Sequence, residues 1–279
     1  MKLKNLLPLK NLEKSFKLFK LNWTLVPLCI LIDILFVFSI GYVIADIYIK
    51  MLDHLLPMVE IMQQTESQIG NLITSQSNLI NVLSQRALFM DHYISVIFLA
   101  VLFIILVYAL YNIFQGINWF IANKIANKKA SLCRFLARFS FVNLIWFILL
   151  VLIGIFFVKF FVLTSTSMSP IVSPQFIIYT SLFMIAIVSY FAFISYSLIN
   201  KLGLFKALKN TFLIGCKKFK NIILTYIIII ILFIITDLFL KLIYKIHPTV
   251  MFIVGLFTAL PLITFTRVYL IESMGRIKK

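Results

Sequence analysis

From Phe139 to Val158 the chain carries no charged residue, and apolar runs of similar length recur along it. A helix of roughly 18–20 apolar residues crosses the hydrocarbon core of a bilayer. Inside that core every backbone N–H and C=O must be satisfied within the segment or in a closed barrel, so only helices and barrels can span it. The runs show none of the period-two alternation of barrel strands, which excludes a β-barrel. The rest of the composition agrees. With 62% hydrophobic and 13% charged residues in 279 and a mean hydropathy of +1.07, the chain lacks the polar surface of a soluble domain. The expectation is an all-α integral membrane protein, a single domain over 1–279 with six transmembrane helices. Their approximate bounds are 23–48, 93–115, 139–163, 176–199, 221–244 and 249–271. The long basic stretch before the first span, and that span's length, predict an uncleaved first helix rather than a signal peptide.

The formal net charge is +17. No soluble domain remains to bind nucleic acid, so the charge is read as a topology signal. Sorting the 26 Lys and Arg by connection leaves only Lys50, Arg86, Lys159, Lys241 and Lys245 on one side. That bias predicts a protein of the inner or plasma membrane with both termini cytoplasmic. Cys29, Cys133 and Cys216 show neither metal spacing nor a disulfide framework and are expected to be small buried hydrophobes.

Three segments on the basic side share a pattern. Leu9, Leu12, Phe16 and Phe19 recur at helical spacing beside Lys10, Lys14 and Lys17. Leu132, Phe135, Leu136 and Phe139 do so beside Arg134 and Arg138, and Phe205, Leu208 and Phe212 beside Lys206 and Lys209, with Lys217 and Lys218 following. Each is expected to lie as a basic amphipathic helix in the headgroup plane and to bind anionic lipid. Each also precedes a pair of spans, which suggests three repeats of an interfacial helix plus a transmembrane hairpin; the alternative is that any loop entering a span is basic and partly apolar.

Basic elbow helices ahead of paired spans, a short basic tail and the stretch "GINWFIANKIANKKAS" (116–131) resemble uncharacterised archaeal and bacterial multi-pass families. Those families are distantly similar to the membrane domain attached to some glycerophosphodiester phosphodiesterases. The resemblance covers most of the chain except the polar excursion between spans one and two, and implies no catalytic residue, because the phosphodiesterase's soluble catalytic domain has no counterpart here.

The intramembrane charges are the sharpest site signals. Asp33 stands deep in span one, where a charge costs about 2.5–3.5 kcal/mol or more and requires a partner or a proton. Arg267 in span six is the expected partner. Two readings stand for the pair: a proton- or ion-coupled site, or a buried structural bridge. Asp237 and Lys241, at i and i+4, are expected to bond locally as an interfacial anchor. Pro261 should kink span six, with the hydroxyls of Thr258 and Thr264 available to the freed backbone.

Between spans one and two the chain runs through a polar stretch, "TESQIGNLITSQSNL" (65–79), expected to form an external helical hairpin over 51–92. Met62, Thr65, Ile69, Leu72, Gln76, Leu79 and Leu83 keep a narrow apolar stripe through it, fit for a partner. Gly70, or Ser75 to Asn78, would supply the turn. Asp53-His54 and Asp91-His92 at its two ends form a candidate external divalent-metal site should the hairpin bring them together. No Gly-rich phosphate loop, HExxH, GxSxG or CxxC occurs, and no cofactor is implied. Three functions follow in order. The first is a non-enzymatic membrane organiser or assembly factor that binds anionic lipid inside and a protein partner outside. The second is a small secondary transporter or channel using Asp33 and Arg267. The third is a lipid-handling enzyme or its membrane subunit.

Overall fold

The computed structural model describes residues 7–69, 76–126, 131–165, 173–200 and 202–277. Eight α-helices account for nearly all of them: α1 (Leu7–Leu21), α2 (Val26–Ile69), α3 (Gln76–Ile125), α4 (Leu132–Ser165), α5 (Pro174–Leu198), α6 (Leu204–Lys217), α7 (Phe219–Tyr244) and α8 (Pro248–Ile277). The described residues contain no strand. Six helices, α2 to α5, α7 and α8, are long and apolar enough to cross a membrane. The protein is an all-α, multi-pass membrane protein.

Two elbows set off the short helices. At Asn22 the backbone turns to φ −109°, ψ 32°, and a single 3-10 turn, Trp23–Leu25, links α1 to α2. The Leu18 carbonyl accepts both the Asn22 backbone N–H at 3.1 Å and the Asn22 side-chain amide at 3.0 Å. At Lys218 the backbone adopts φ −111°, ψ 24°, which divides α6 from α7. The two junctions thus share one sparsely populated backbone geometry. The third expected elbow does not form as a separate helix. Its residues belong to α4, which runs unbroken from Leu132, since the segment holds neither Gly nor Pro nor a side chain that caps early.

The chain divides into two compact units. One comprises Leu35–Tyr111, the greater part of α2 and α3. Both helices run straight through the positions where the external hairpin was expected to begin and end. Over residues 49–69 the only helix breaker is Pro57, and α2 carries it without interruption. The insertion 51–92 is therefore a continuation of the two spans, with Gln76 to Asn78 already helical. Gly70, Leu72 and Ser75 lie outside the described residues.

The other unit, Met1–Ile34 with Asn112–Lys279, holds the packed core. Here α7 packs on α8, α4 on α5, and α5 joins the two pairs through α8, while α1 lies on α8 and α6 on α5. Burial concentrates where the first turns of α2, α4 and α7 meet the last turns of α3, α5 and α8. Val26, Trp119, Ile125, Phe139, Val142, Ile194, Leu198, Ile222, Tyr269 and Ile271 are fully enclosed there. Toward the opposite ends, Phe156, Val158, Leu238, Leu242, Phe252 and Phe257 are exposed, the apolar surface that lipid covers. Two glycines permit close helix approach: a Cβ on Gly116 would stand 2.8 Å from Leu136, and one on Gly215 2.7 Å from Phe191.

Candidate functional site

In lipid, burying apolar side chains does not drive helices together as it does in water, so polar contacts between helices carry a larger share of specificity. The centre of this core is such a contact. Asp33 on α2 faces Arg267 on α8, whose guanidinium donates from both terminal nitrogens to both carboxylate oxygens at 2.9 Å. This bidentate fork is the strongest geometry available to the pair. Two amides of α3 complete it. Asn118 donates to Asp33 at 2.7 Å and Gln115 at 3.2 Å, and the Gln115 carbonyl oxygen accepts from Arg267 at 2.8 Å. Gln115 and Asn118 stand at i and i+3, which puts them on one face of α3.

Four donor bonds therefore converge on the Asp33 carboxylate, three on Oδ1 and one on Oδ2. Both charged side chains are less than a tenth exposed. The cluster ties α2, α3 and α8 together and pairs one carboxylate with one guanidinium, while the buried Asn118 Oδ1 beside it has no hydrogen-bond partner among the described residues. Bound in this way, Asp33 links α2 to α3 and α8.

A second polar layer lies beside it. Asn143 on α4 donates to Asn112 on α3 at 3.2 Å and accepts from the Tyr196 hydroxyl on α5 at 2.6 Å. Trp146 donates through its indole nitrogen to Ser195 at 3.0 Å, and Asn200 reaches Asn123 at 3.4 Å. The sequence reading found Asp33 and Arg267 but not these amides. Their signal was present: Asn112, Gln115 and Asn118 recur every three residues through an apolar run, a polar stripe on a helix that otherwise faces lipid or core.

Of the other expected site residues, Asp237 and Lys241 bond to each other at 2.7 Å on an exposed face of α7. Pro261 sits inside α8, which remains continuous through it. Thr258 and Thr264 donate to the Val254 and Leu260 carbonyls and not to the Phe257 carbonyl that Pro261 leaves without its helical N–H. In the unit Leu35–Tyr111, His54 and His92 meet with their Nδ1 atoms 3.1 Å apart. Asp53 and Asp91 are exposed, and among the described residues no group of three or more His, Cys, Asp and Glu side chains is placed to hold a metal ion. The dyads thus contribute a histidine pair in place of the expected four-ligand cluster, because each Asp precedes its His and points about 100° away around the helix.

The headgroup lysines divide as well. Lys14 bonds the buried Glu272 at 2.5 Å and Lys17 bonds Glu13 at 2.8 Å, whereas Lys10, Arg134, Lys206, Lys209, Lys217 and Lys218 are exposed and Arg138 is half-buried. Of the cysteines only Cys29 is buried; Cys133 and Cys216 are exposed, which corrects the expectation for those two. No protein-family model, curated protein or solved structure matches the chain.

Proposed function

We propose that the protein is a non-enzymatic membrane organiser or assembly factor, with both termini in the cytoplasm of a cell bounded by its inner or plasma membrane. It holds anionic lipid through α1 and α6 and a protein partner through the outer continuation of α2 and α3. The observation that carries this reading is the pair of elbows. Two short helices, each preceding a span and ending at the same backbone turn, pack one face on the bundle and turn lysines outward. Asn11, Ser15 and Leu18 of α1 are buried while Lys10, Lys17 and Lys20 are exposed. In α6, Ala207, Thr211 and Ile214 are buried while Lys206, Lys209 and Lys217 are exposed. That is the arrangement of a helix lying at a headgroup surface.

The outer partner surface is supported by length. At 1.5 Å per residue, the 44 residues of α2 and 50 of α3 extend about 65–75 Å, well over the ~30 Å hydrocarbon core. A carrier reading is less favoured because Asp33 already holds a bidentate bond to Arg267 and two amide donors inside the core, and a coupling carboxylate must exchange its partner for a proton or substrate.

The test is lipid retention. Native mass spectrometry of the purified chain should show bound phosphatidylglycerol. Replacing Lys206, Lys209, Lys217 and Lys218 together by Gln should release part of it with the fold intact. If Asp33→Asn instead leaves a stable protein whose solute uptake into proteoliposomes is abolished relative to the native chain, the carrier reading replaces this one.

A further inference from the structure

A cavity of about 620 Å³ opens between α1, α7 and α8, within the range of sites that enclose small ligands. Its walls are almost wholly apolar: Leu12 and Phe16 from α1, Leu232 from α7, and Thr258, Leu262 and Phe265 from α8. The hydroxyls of the threonines on its wall are turned back to their own helices, Thr258 to Val254 and Thr236 to Leu232, so they present methyl groups and demand no polar partner. The single carboxylate on the lining, Glu13, is bonded to Lys17. Along α8 the lining runs from Phe265 to Thr258, about 10 Å at helical rise.

The shape of α1 sets what lies at the mouth. At 100° per residue its circumference divides into three stripes. Asn11, Ser15 and Leu18 are buried against the bundle, Leu9, Leu12 and Phe16 face the groove, and Lys10, Lys17 and Lys20 occupy the next flank, exposed. An occupant that suits both parts has a long apolar tail and an anionic head. A soluble peptide or metabolite would leave one of the two unmatched, while a membrane phospholipid satisfies both and is present at high concentration where this chain resides.

We propose that the α1–α7–α8 groove holds one acyl chain of an anionic phospholipid, with its headgroup phosphate against the lysines of α1. This rests on the lipid-binding reading above and assigns it a place. In lipid the tail gains only through the fit and van der Waals contact of the groove, and the head through the lysine charges, so tail and head are separable by mutation.

The experiment uses the full chain in nanodiscs of phosphatidylglycerol and phosphatidylcholine, with retained lipid counted by native mass spectrometry. Filling the groove with Leu262→Trp should lower occupancy of one lipid by about tenfold, equivalent to 1.4 kcal/mol. Lys10→Gln, Lys17→Gln and Lys20→Gln together should leave a lipid bound but remove its preference for phosphatidylglycerol. Because Leu262→Trp could unfold the bundle, the native chain is also labelled with phosphatidylglycerol bearing a photoreactive acyl chain. Crosslinks should fall on α8 between Thr258 and Phe265. Crosslinks elsewhere, with lipid lost only in the Lys206/Lys209/Lys217/Lys218 variant, would overturn the groove while sparing the broader reading. A native chain that retains no phospholipid would overturn both.

Discussion

Replacing Arg267 by Met tests whether the Asp33 cluster holds the bundle together. The guanidinium makes three hydrogen bonds to other helices, two to Asp33 and one to Gln115. Interhelical hydrogen bonds in membranes contribute about 0.6 kcal/mol on average and up to about 1.7, so their loss amounts to roughly 2–5 kcal/mol. An independent route reaches the same range, because removing one partner of a buried ion pair strands the other charge and costs about 3–5 kcal/mol. The double variant Asp33→Asn/Arg267→Met separates the two contributions. Its new amide oxygen still accepts from Asn118 and Gln115, and no charge is left behind. The double variant should therefore be destabilised by only about 1–2 kcal/mol, less than Arg267→Met alone. Reversible SDS unfolding in mixed micelles, followed by tryptophan fluorescence, provides the measurement, since the buried Trp119 adjoins Asn118 in the cluster. Two results would refute the reasoning: an Arg267→Met cost under about 1 kcal/mol, or a double variant as unstable as the sum of the singles.

Four further expectations use the same assay. Gly215→Ala should cost about 1–3 kcal/mol, because the added Cβ meets a Phe191 ring already packed against Trp146 and Phe212. Gly154→Ala, with nothing within 4 Å of the new carbon, should be neutral or stabilising by up to about 1 kcal/mol. Asn143→Leu should cost about 1–3 kcal/mol through the bonds to Asn112 and Tyr196, and Tyr196→Phe about half of that. A His54→Ala/His92→Ala cycle should return a coupling of about 0.5–1.5 kcal/mol; a value indistinguishable from zero would mean that the imidazoles do not bond.

What the amino-acid sequence determined by itself was the solvent and the chain's path through it. Runs such as Phe139 to Val158 have no stable state in water, and the backbone's own hydrogen bonds leave only helix in lipid. Asp33 was legible as a residue needing a partner, and Arg267 as a basic residue lodged in another span, because charge in hydrocarbon is costly wherever it falls. The tertiary structure decided the rest. The full set of partners around Asp33 includes Gln115 and Asn118, which approach from a helix more than eighty positions away and whose amides look unremarkable in the chain. The elbow at Asn22 forms while the first turns of α4 run on without one, a difference that hydrophobic periodicity does not register. The dyads Asp53-His54 and Asp91-His92 are alike on paper, yet only the imidazoles meet. Neighbouring side chains on a helix diverge by about 100°, and pairing across two helices selects one from each.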